Sequence, residues 1–236
     1  MREKKIMQKV SIIIPVFNEK DTFRQLLEKV EQANFSGLEK EIIMVDDCST
    51  DGTTEILKEL SQSYKVLFHE KNQGKGAAIR TAVKEATGDF VVIQDADLEY
   101  LPDDYDKLLP LLINNEADVV YGSRFKNEEN SKNFILKNKI ANKFLTLLTN
   151  ILYGAEITDM ETCYKAFKRE FIQGITIKYN RFDFEPEITA KVMKKKARLK
   201  EVPISYFGRG HDEGKKINWK DGIHAILSLI KFRFID

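Results

Sequence analysis

The chain is short of the residues that usually hold metals or staple small folds together. Of its 236 residues only two are cysteine, Cys48 and Cys163, and three are histidine, His69, His211 and His224. The cysteines lie far apart with no Cys-x-x-Cys pair, so neither a thiolate zinc site nor a disulfide framework is expected. The scattered histidines do not suggest an imidazole metal site. Long apolar runs are also missing: no stretch approaches the roughly 20 residues that span a bilayer. Met1-Arg2-Glu3-Lys4-Lys5 leads towards a strand without the apolar core of a secretory signal. An excess of one charge is lacking too, since 38 Lys and Arg stand against 37 Asp and Glu, a net charge of +1. No global field recruits nucleic acid, and none is expected as a partner. There is no internal repeat and no low-complexity linker. These absences lead us to expect a cytoplasmic protein, soluble or at most peripheral to a membrane.

What is present is an ordinary packed core, with 42% hydrophobic residues in a length suited to one large α/β domain or two small ones. Phe90-Val91-Val92-Ile93 reads as a buried strand, because aromatic and β-branched residues suit that state. It runs into three carboxylates at alternate positions, Asp95, Asp97 and Glu99. Hard cations take carboxylate oxygens, and parallel α/β sheets bind ligands at the C-terminal ends of their strands. Alone, Asp95-Ala96-Asp97 is equally a solvated acidic turn. Val10 to Pro15 predicts another buried strand, followed by a loop through Phe17 and Glu19 and a helix from near Asp21. Glu41 to Val45 predicts a strand ending in Asp46-Asp47. Lys65 to His69 is a further short strand, and Gly74-Lys75-Gly76 turns into a helix. Asp103 to Asn114 reads as a helix, and Asp118 to Gly122 as a strand. The β-α alternation up to residue 122 predicts a mostly parallel sheet with helices on both faces. Packing alone would not gather Glu19, Asp46, Asp47, Asp95 and Asp97 on one rim, since they repel unless cations or hydrogen-bond donors intervene.

Beyond residue 122 the character changes. Phe134 to Tyr153 is helical, with Leu145, Leu147, Leu148, Ile151 and Leu152 mixed with Lys137, Lys139 and Lys143. Thr158 to Thr162 is a polar loop before a strand at Cys163 to Phe167. Glu185 to Lys196 predicts a helix, and its terminal Lys194-Lys195-Lys196 reads as a solvated helix end. Lys200 to Tyr206 is an edge strand because of Pro203. A last helix spans roughly Trp219 to Phe234. Most apolar residues of the 134–153 and 219–234 helices are expected in the core, with one outer face of the last helix left as a membrane-interface candidate.

Six segments in order carry a resemblance over nearly the whole chain: Ile14-Pro15-Val16-Phe17-Asn18-Glu19, Val45-Asp46-Asp47-Cys48-Ser49, Asn72-Gln73-Gly74-Lys75-Gly76, Asp95-Ala96-Asp97, Gly122-Ser123-Arg124 and Glu201-Val202-Pro203-Ile204. The chain resembles family-2 glycosyltransferases of the GT-A fold, within them the dolichyl-phosphate mannose synthase and polyprenyl-phosphate glycosyltransferase group. The resemblance implies one GT-A domain over 1–236 with a Rossmann-like first half. Its nucleotide-binding half would cover about 8–122 and its acceptor-binding half about 123–236. It places Pro15, Phe17, Glu19 and Asp47 around the base and ribose. Asp95 and Asp97 would hold Mg²⁺ or Mn²⁺ against the diphosphate, with Glu99 as a third ligand and Ala96 between them. Arg124 would lie near the sugar and the acceptor phosphate. Arg209 and Lys216 would sit on a loop closing over the phosphates. Where relatives carry a second arginine, Lys137 and Lys139 offer point charges instead.

The implied reaction moves a sugar from a nucleotide-diphosphate donor, of the GDP-mannose or UDP-glucose type, with inversion at the anomeric carbon. Metal at the departing diphosphate is a Lewis acid, assisted by Lys75, Arg209 and Lys216. A polyprenyl-phosphate acceptor is already ionised and needs no general base. A saccharide or other hydroxyl acceptor would need one, and Asp159 or Glu161 could serve, although Asp159 equally suits a loop brace. Contact with the inner face of a membrane, or with a membrane-embedded partner, follows from a lipid acceptor. A nucleotide-sugar-binding protein without catalysis is opposed by the intact Asp95, Asp97 and Arg124. A nucleotidyltransferase is opposed by the Pro15–Glu19 loop, which is neither Gly-rich nor basic. Gly74-Lys75-Gly76 lacks P-loop spacing, so it is a plain turn or a phosphate contact.

Overall fold

The computed structural model describes residues 8–128, 130, 136–208 and 219–235. Strands form where branched apolar residues run together: β1 (Lys9–Val16), β2 (Glu39–Asp46), β3 (Lys65–Phe68) and β4 (Phe90–Ile93). They pair in parallel, β1 with both β2 and β4, and β2 with β3. Helices α1 (Phe23–Gln32), α2 (Thr53–Leu60) and α3 (Lys75–Glu85) make the crossovers. The chain thus winds one way from β1 to β3 and then returns to place β4 on the other side of β1. A crevice opens at such a reversal because the flanking loops leave in opposite directions.

The second half completes the same sheet. After α4 (Tyr105–Ile113) come β5 (Val119–Ser123), α5 (Leu136–Tyr153), β6 (Lys165–Lys168), α6 (Arg169–Gln173), α7 (Phe184–Lys194), β7 (Leu199–Pro203) and α8 (Trp219–Phe234). The strand order is β3-β2-β1-β4-β6-β5-β7. β6 is antiparallel to both neighbours, and every other pairing is parallel. β7 takes the edge expected for a strand containing Pro203.

Alternation along the strands feeds two cores. Ile12 and Ile14 face α1 and α4, meeting Phe23, Leu26, Val30 and Leu108. Ile13, Ile43 and Ile93 face α3 and α7, meeting Ile79, Ala82, Phe184 and Ile188. Each such side chain contributes about 1.5–3 kcal/mol by leaving water.

A third, smaller cluster joins α5 and α8 through Leu145, Ile157, Met160, Ala225 and Leu229. Here the structure corrects the expectation that most apolar residues of these two helices are core. Leu136, Ile140, Phe144, Leu147 and Ile151 of α5 are exposed, as are Ile223, Leu227, Ile230 and Phe234 of α8. The two helices bury only the faces turned to each other and to the domain. Among the described residues, no helix is long and apolar enough to cross a membrane.

Candidate active site

The crevice between β1 and β4 is held open by its loops. After β1, Asn18 takes a left-handed φ of 53°, and its Oδ1 accepts a hydrogen bond from Thr50 N at 2.8 Å. Glu19 N donates to Thr53 Oγ1 at 3.0 Å, tying this loop to the one after β2. After β4, the wholly buried Gln94 gathers the acidic segment. Its Nε2 donates to the carbonyls of Asp95 and Tyr100, at 3.0 and 2.9 Å, while its Oε1 accepts from Tyr105 Oη at 2.9 Å. Asp97 Oδ1 accepts from Glu99 N at 3.1 Å, the local turn that Asp favours. The Ala96 carbonyl accepts from Thr22 Oγ1 at 3.0 Å.

These loops enclose a cavity of about 340 Å³, lined by Pro15, Phe17, Glu19, Asp47, Lys75, Asp95, Ala96, Asp97 and Glu99. Apart from Asp46, the candidates that precede Arg124 in the chain therefore meet at one place. Asp46, gathered with them in the sequence, instead braces its own loop, with Oδ1 accepting from Ser49 N at 3.0 Å and Oδ2 from Thr54 Oγ1.

Asp47 shows how the wall is built. Its Oδ1 accepts from Gln73 N at 2.9 Å and lies 2.7 Å from His69 Nδ1, and its Oδ2 accepts from Gly74 N at 2.6 Å. The carboxylate thereby clamps the 72–74 turn against the end of β2. Gly74, at φ 99°, and Gly76 then lie so close to the 179–181 backbone that a Cβ would meet Asn180 O at 2.4 Å and Tyr179 O at 2.5 Å. The glycines serve this close approach, which brings Arg181 and Phe182 onto the cavity wall. Neither residue was singled out in the sequence, because only the glycine contact carries residues 179–182 to the site. Asn72, quoted only as part of a motif, and Cys163 also stand on the wall, and Gln94 stands behind it.

Five carboxylates face the cavity against Lys75 and Arg181. Lys75 Nζ sits 2.7 and 2.8 Å from the two oxygens of Asp95. Burial works against its charge, but Asp95, with Glu185 adding to it, holds its pKa well above the usual lysine value. Among the described residues no three acid, His or Cys side chains stand assembled as a metal cage. The donor set nevertheless fits Mg²⁺ or Mn²⁺, because Mg²⁺ takes one or two carboxylates and completes its shell with phosphates and water. Asp95 already holds a cation, the ammonium of Lys75, and Asp97 lies on the same rim.

Arg124 and Asp159 do not line this cavity. Arg124 Nε and Nη2 each donate to Asp159 at 2.7 Å, and the Arg124 backbone N donates to the same carboxylate at 3.0 Å. Asp159 is fully buried and Arg124 nearly so. Asp159 opposes the effect of burial and keeps the guanidinium pKa well above its ordinary value. The guanidinium also lies over the Tyr206 ring, 5.2 Å from its centroid. Phe207 N, beside that ring, donates to the Glu99 carbonyl at 3.0 Å, which links the pair to the rim. Arg209 and Lys216 lie outside the described residues.

The family model described as "Glycosyl transferase family 2" matches residues 11–176. A dolichol-phosphate mannosyltransferase of Pyrococcus furiosus is 33% identical over 88% of this chain, which spans 59% of that protein's length. A UDP-N-acetylglucosamine–dolichyl-phosphate N-acetylglucosaminyltransferase of Methanococcus voltae is 31% identical over 95% of this chain and 96% of its own. Crystal structures of glucosyl-3-phosphoglycerate synthase from Mycobacterium tuberculosis share the fold. One, with Mn²⁺, UDP and phosphoglyceric acid, superposes with a TM-score of 0.74 at 18% identity, covering 97% of this chain and 80% of the other. Another contains Mg²⁺ and UDP, with a TM-score of 0.73 at 19% identity over 97% of this chain and 80% of the other.

Proposed function

The chain belongs to glycosyl transferase family 2 and has the GT-A fold, and from that premise we propose that it transfers a sugar from a nucleotide-diphosphate donor to a polyprenyl phosphate, with inversion and with a divalent metal. The observation that carries this reading is the gathering of Asp95 and Asp97 with Pro15, Phe17, Glu19, Asp47 and Lys75 around the crevice where the sheet reverses. Phe17 and Pro15 offer an apolar wall for a base, and Glu19 and Asp47 border its polar edge. Asp95 and Asp97 would hold the metal, which supplies charge neutralisation where the diphosphate departs. Lys75 and Arg181 add positive charge on the same wall. A structural relative that contains Mn²⁺ with UDP supports metal use here.

The acceptor follows from Asp159. Arg124 occupies both of its oxygens in a buried pair, so neither is offered to a hydroxyl. An acceptor that needs no base suits this arrangement, and a phosphate is already ionised. Two relatives named for dolichyl-phosphate acceptors favour the same choice. The exposed apolar face of α5 and α8 supports contact with the membrane that holds such a lipid.

The test is release of nucleoside diphosphate from a panel of GDP- and UDP-sugars with Mn²⁺ or Mg²⁺, with and without a short polyprenyl phosphate. We expect turnover to require metal and lipid phosphate, and Asp97→Ala to lower it by about a hundredfold or more, the scale of a lost transition-state charge contact. Turnover that persists in EDTA, or that occurs only with a hydroxyl acceptor, would overturn the reading.

A further inference from the structure

Lys75 opens α3, where a cation opposes the helix dipole. Its position therefore needs another cause, and two carboxylates supply it. Asp95 holds the ammonium with both oxygens. On its other side, Glu185 Oε1 lies 3.6 Å from Nζ, too far for a hydrogen bond. Glu185 belongs to α7, is 4% exposed, and gives its other oxygen, Oε2, to the fully buried Lys165. Its Oε1 accepts no hydrogen bond from any described residue. A buried carboxylate oxygen without a donor is costly, and such atoms are uncommon in folded proteins. Lys75 is a cation facing it, while Lys165 holds the other oxygen.

We propose that Lys75 is a placeholder cation with two stations: it holds Asp95 while the metal site is empty and passes to Glu185 when a divalent ion takes Asp95. This rests on the metal-binding reading of Asp95 and Asp97 given above. An ammonium and a divalent ion cannot share the same two oxygens, because like charges at that distance repel strongly. A displacement of Nζ by under about 1 Å towards Oε1 brings the lysine to hydrogen-bond distance of Glu185 and loosens its hold on Asp95. Glu185 is thus a positioning residue that acts through Lys75. The device also sets an order of arrival. Metal alone must displace a buried ion pair, whereas metal accompanied by a diphosphate brings anionic oxygens of its own that help hold the ion while the lysine turns to Glu185.

The test is Mn²⁺ binding by the full chain without nucleotide, followed by the electron paramagnetic resonance signal of the free ion. Lys75→Met removes the competitor, so Mn²⁺ should bind at least about tenfold more tightly than to wild type. Glu185→Gln weakens the second station and should loosen Mn²⁺ binding several-fold. A merely structural role would loosen binding in both variants, so the opposite signs are the signature. Circular dichroism verifies that each variant is folded, and if Glu185→Gln is not, because Lys165 has lost its partner, Lys75→Met decides alone. Unchanged or weaker Mn²⁺ binding by folded Lys75→Met overturns the placeholder, as does unchanged binding by folded Glu185→Gln. The same titration with GDP or UDP separates the two levels. Mn²⁺ held with nucleotide but no gain in Lys75→Met sinks the placeholder alone. No Mn²⁺ held under any condition sinks the metal site and the placeholder with it.

Discussion

At the scale of single residues, the environment of each acid decides its chemistry. Glu161 is the clearest case. Burial, and then the nearby Glu185 charge, push its carboxyl from 4.5 up to about 7. One of its oxygens accepts no hydrogen bond from the described residues. The folded state therefore binds a proton that the unfolded chain has released between about pH 4.5 and 7. Stability from this group falls as pH rises through that window and levels off above it. Glu161→Gln should match wild type in denaturant unfolding at pH 5 and exceed it at pH 8 by on the order of 2 kcal/mol. An equal gap at both pH values would refute this account. The identities of the rim acids were legible in the sequence because they follow apolar strands directly. Their partners were not: the clamp of Asp47 on Gly74 and the embrace of Asp159 by Arg124 join residues 27 and 35 positions apart.

At the scale of elements, α5 shows where periodicity misleads. Leu136, Ile140, Phe144, Leu147 and Ile151 recur at helical spacing, the pattern of a buried face. In the folded chain this stripe is the outer one, 54–72% exposed, while Leu145, Thr146 and Thr149 face inward. A sequence states that a stripe is apolar but not what covers it. With Lys137 and Lys143 exposed beside it, the stripe suits an anionic lipid surface, where each lysine adds about 1 kcal/mol. The double variant Ile140→Asp, Leu147→Asp should lose at least about tenfold in cosedimentation with vesicles containing anionic phospholipid. Its melting temperature should stay near that of wild type, because both side chains are already in water. Equal vesicle binding by the two proteins would remove the membrane role from α5.

At the scale of the whole molecule, β6 is the element that makes two halves into one body. It inserts from the second half between β4 and β5, pairing Val91 with Phe167 and Val120 with Ala166. Unfolding of the second half would strip β4 and β5 of the strand that joins them, and unfolding of the first would leave β6 and β7 without any partner strand. We therefore expect a single unfolding transition, with far-ultraviolet and tyrosine near-ultraviolet circular dichroism superimposing across urea. Two separated transitions would show that one part of the sheet, such as β1 to β4, stands alone. This insertion was not legible, since a short strand at 165–168 carries no mark of the neighbours it will choose.

The sequence by itself determined the α/β class, the first four strands, the acid-bearing rim and the family, because strand periodicity and the motifs at strand ends are local. Tertiary structure alone decided the partners. It placed Arg181 and Phe182 on the cavity through the contact at Gly74 and Gly76, put Glu185 beside Lys75, and turned the α5 stripe outward. Each of these depends on a long-range approach of backbone or charge, and such approaches are fixed only when the sheet has chosen its order.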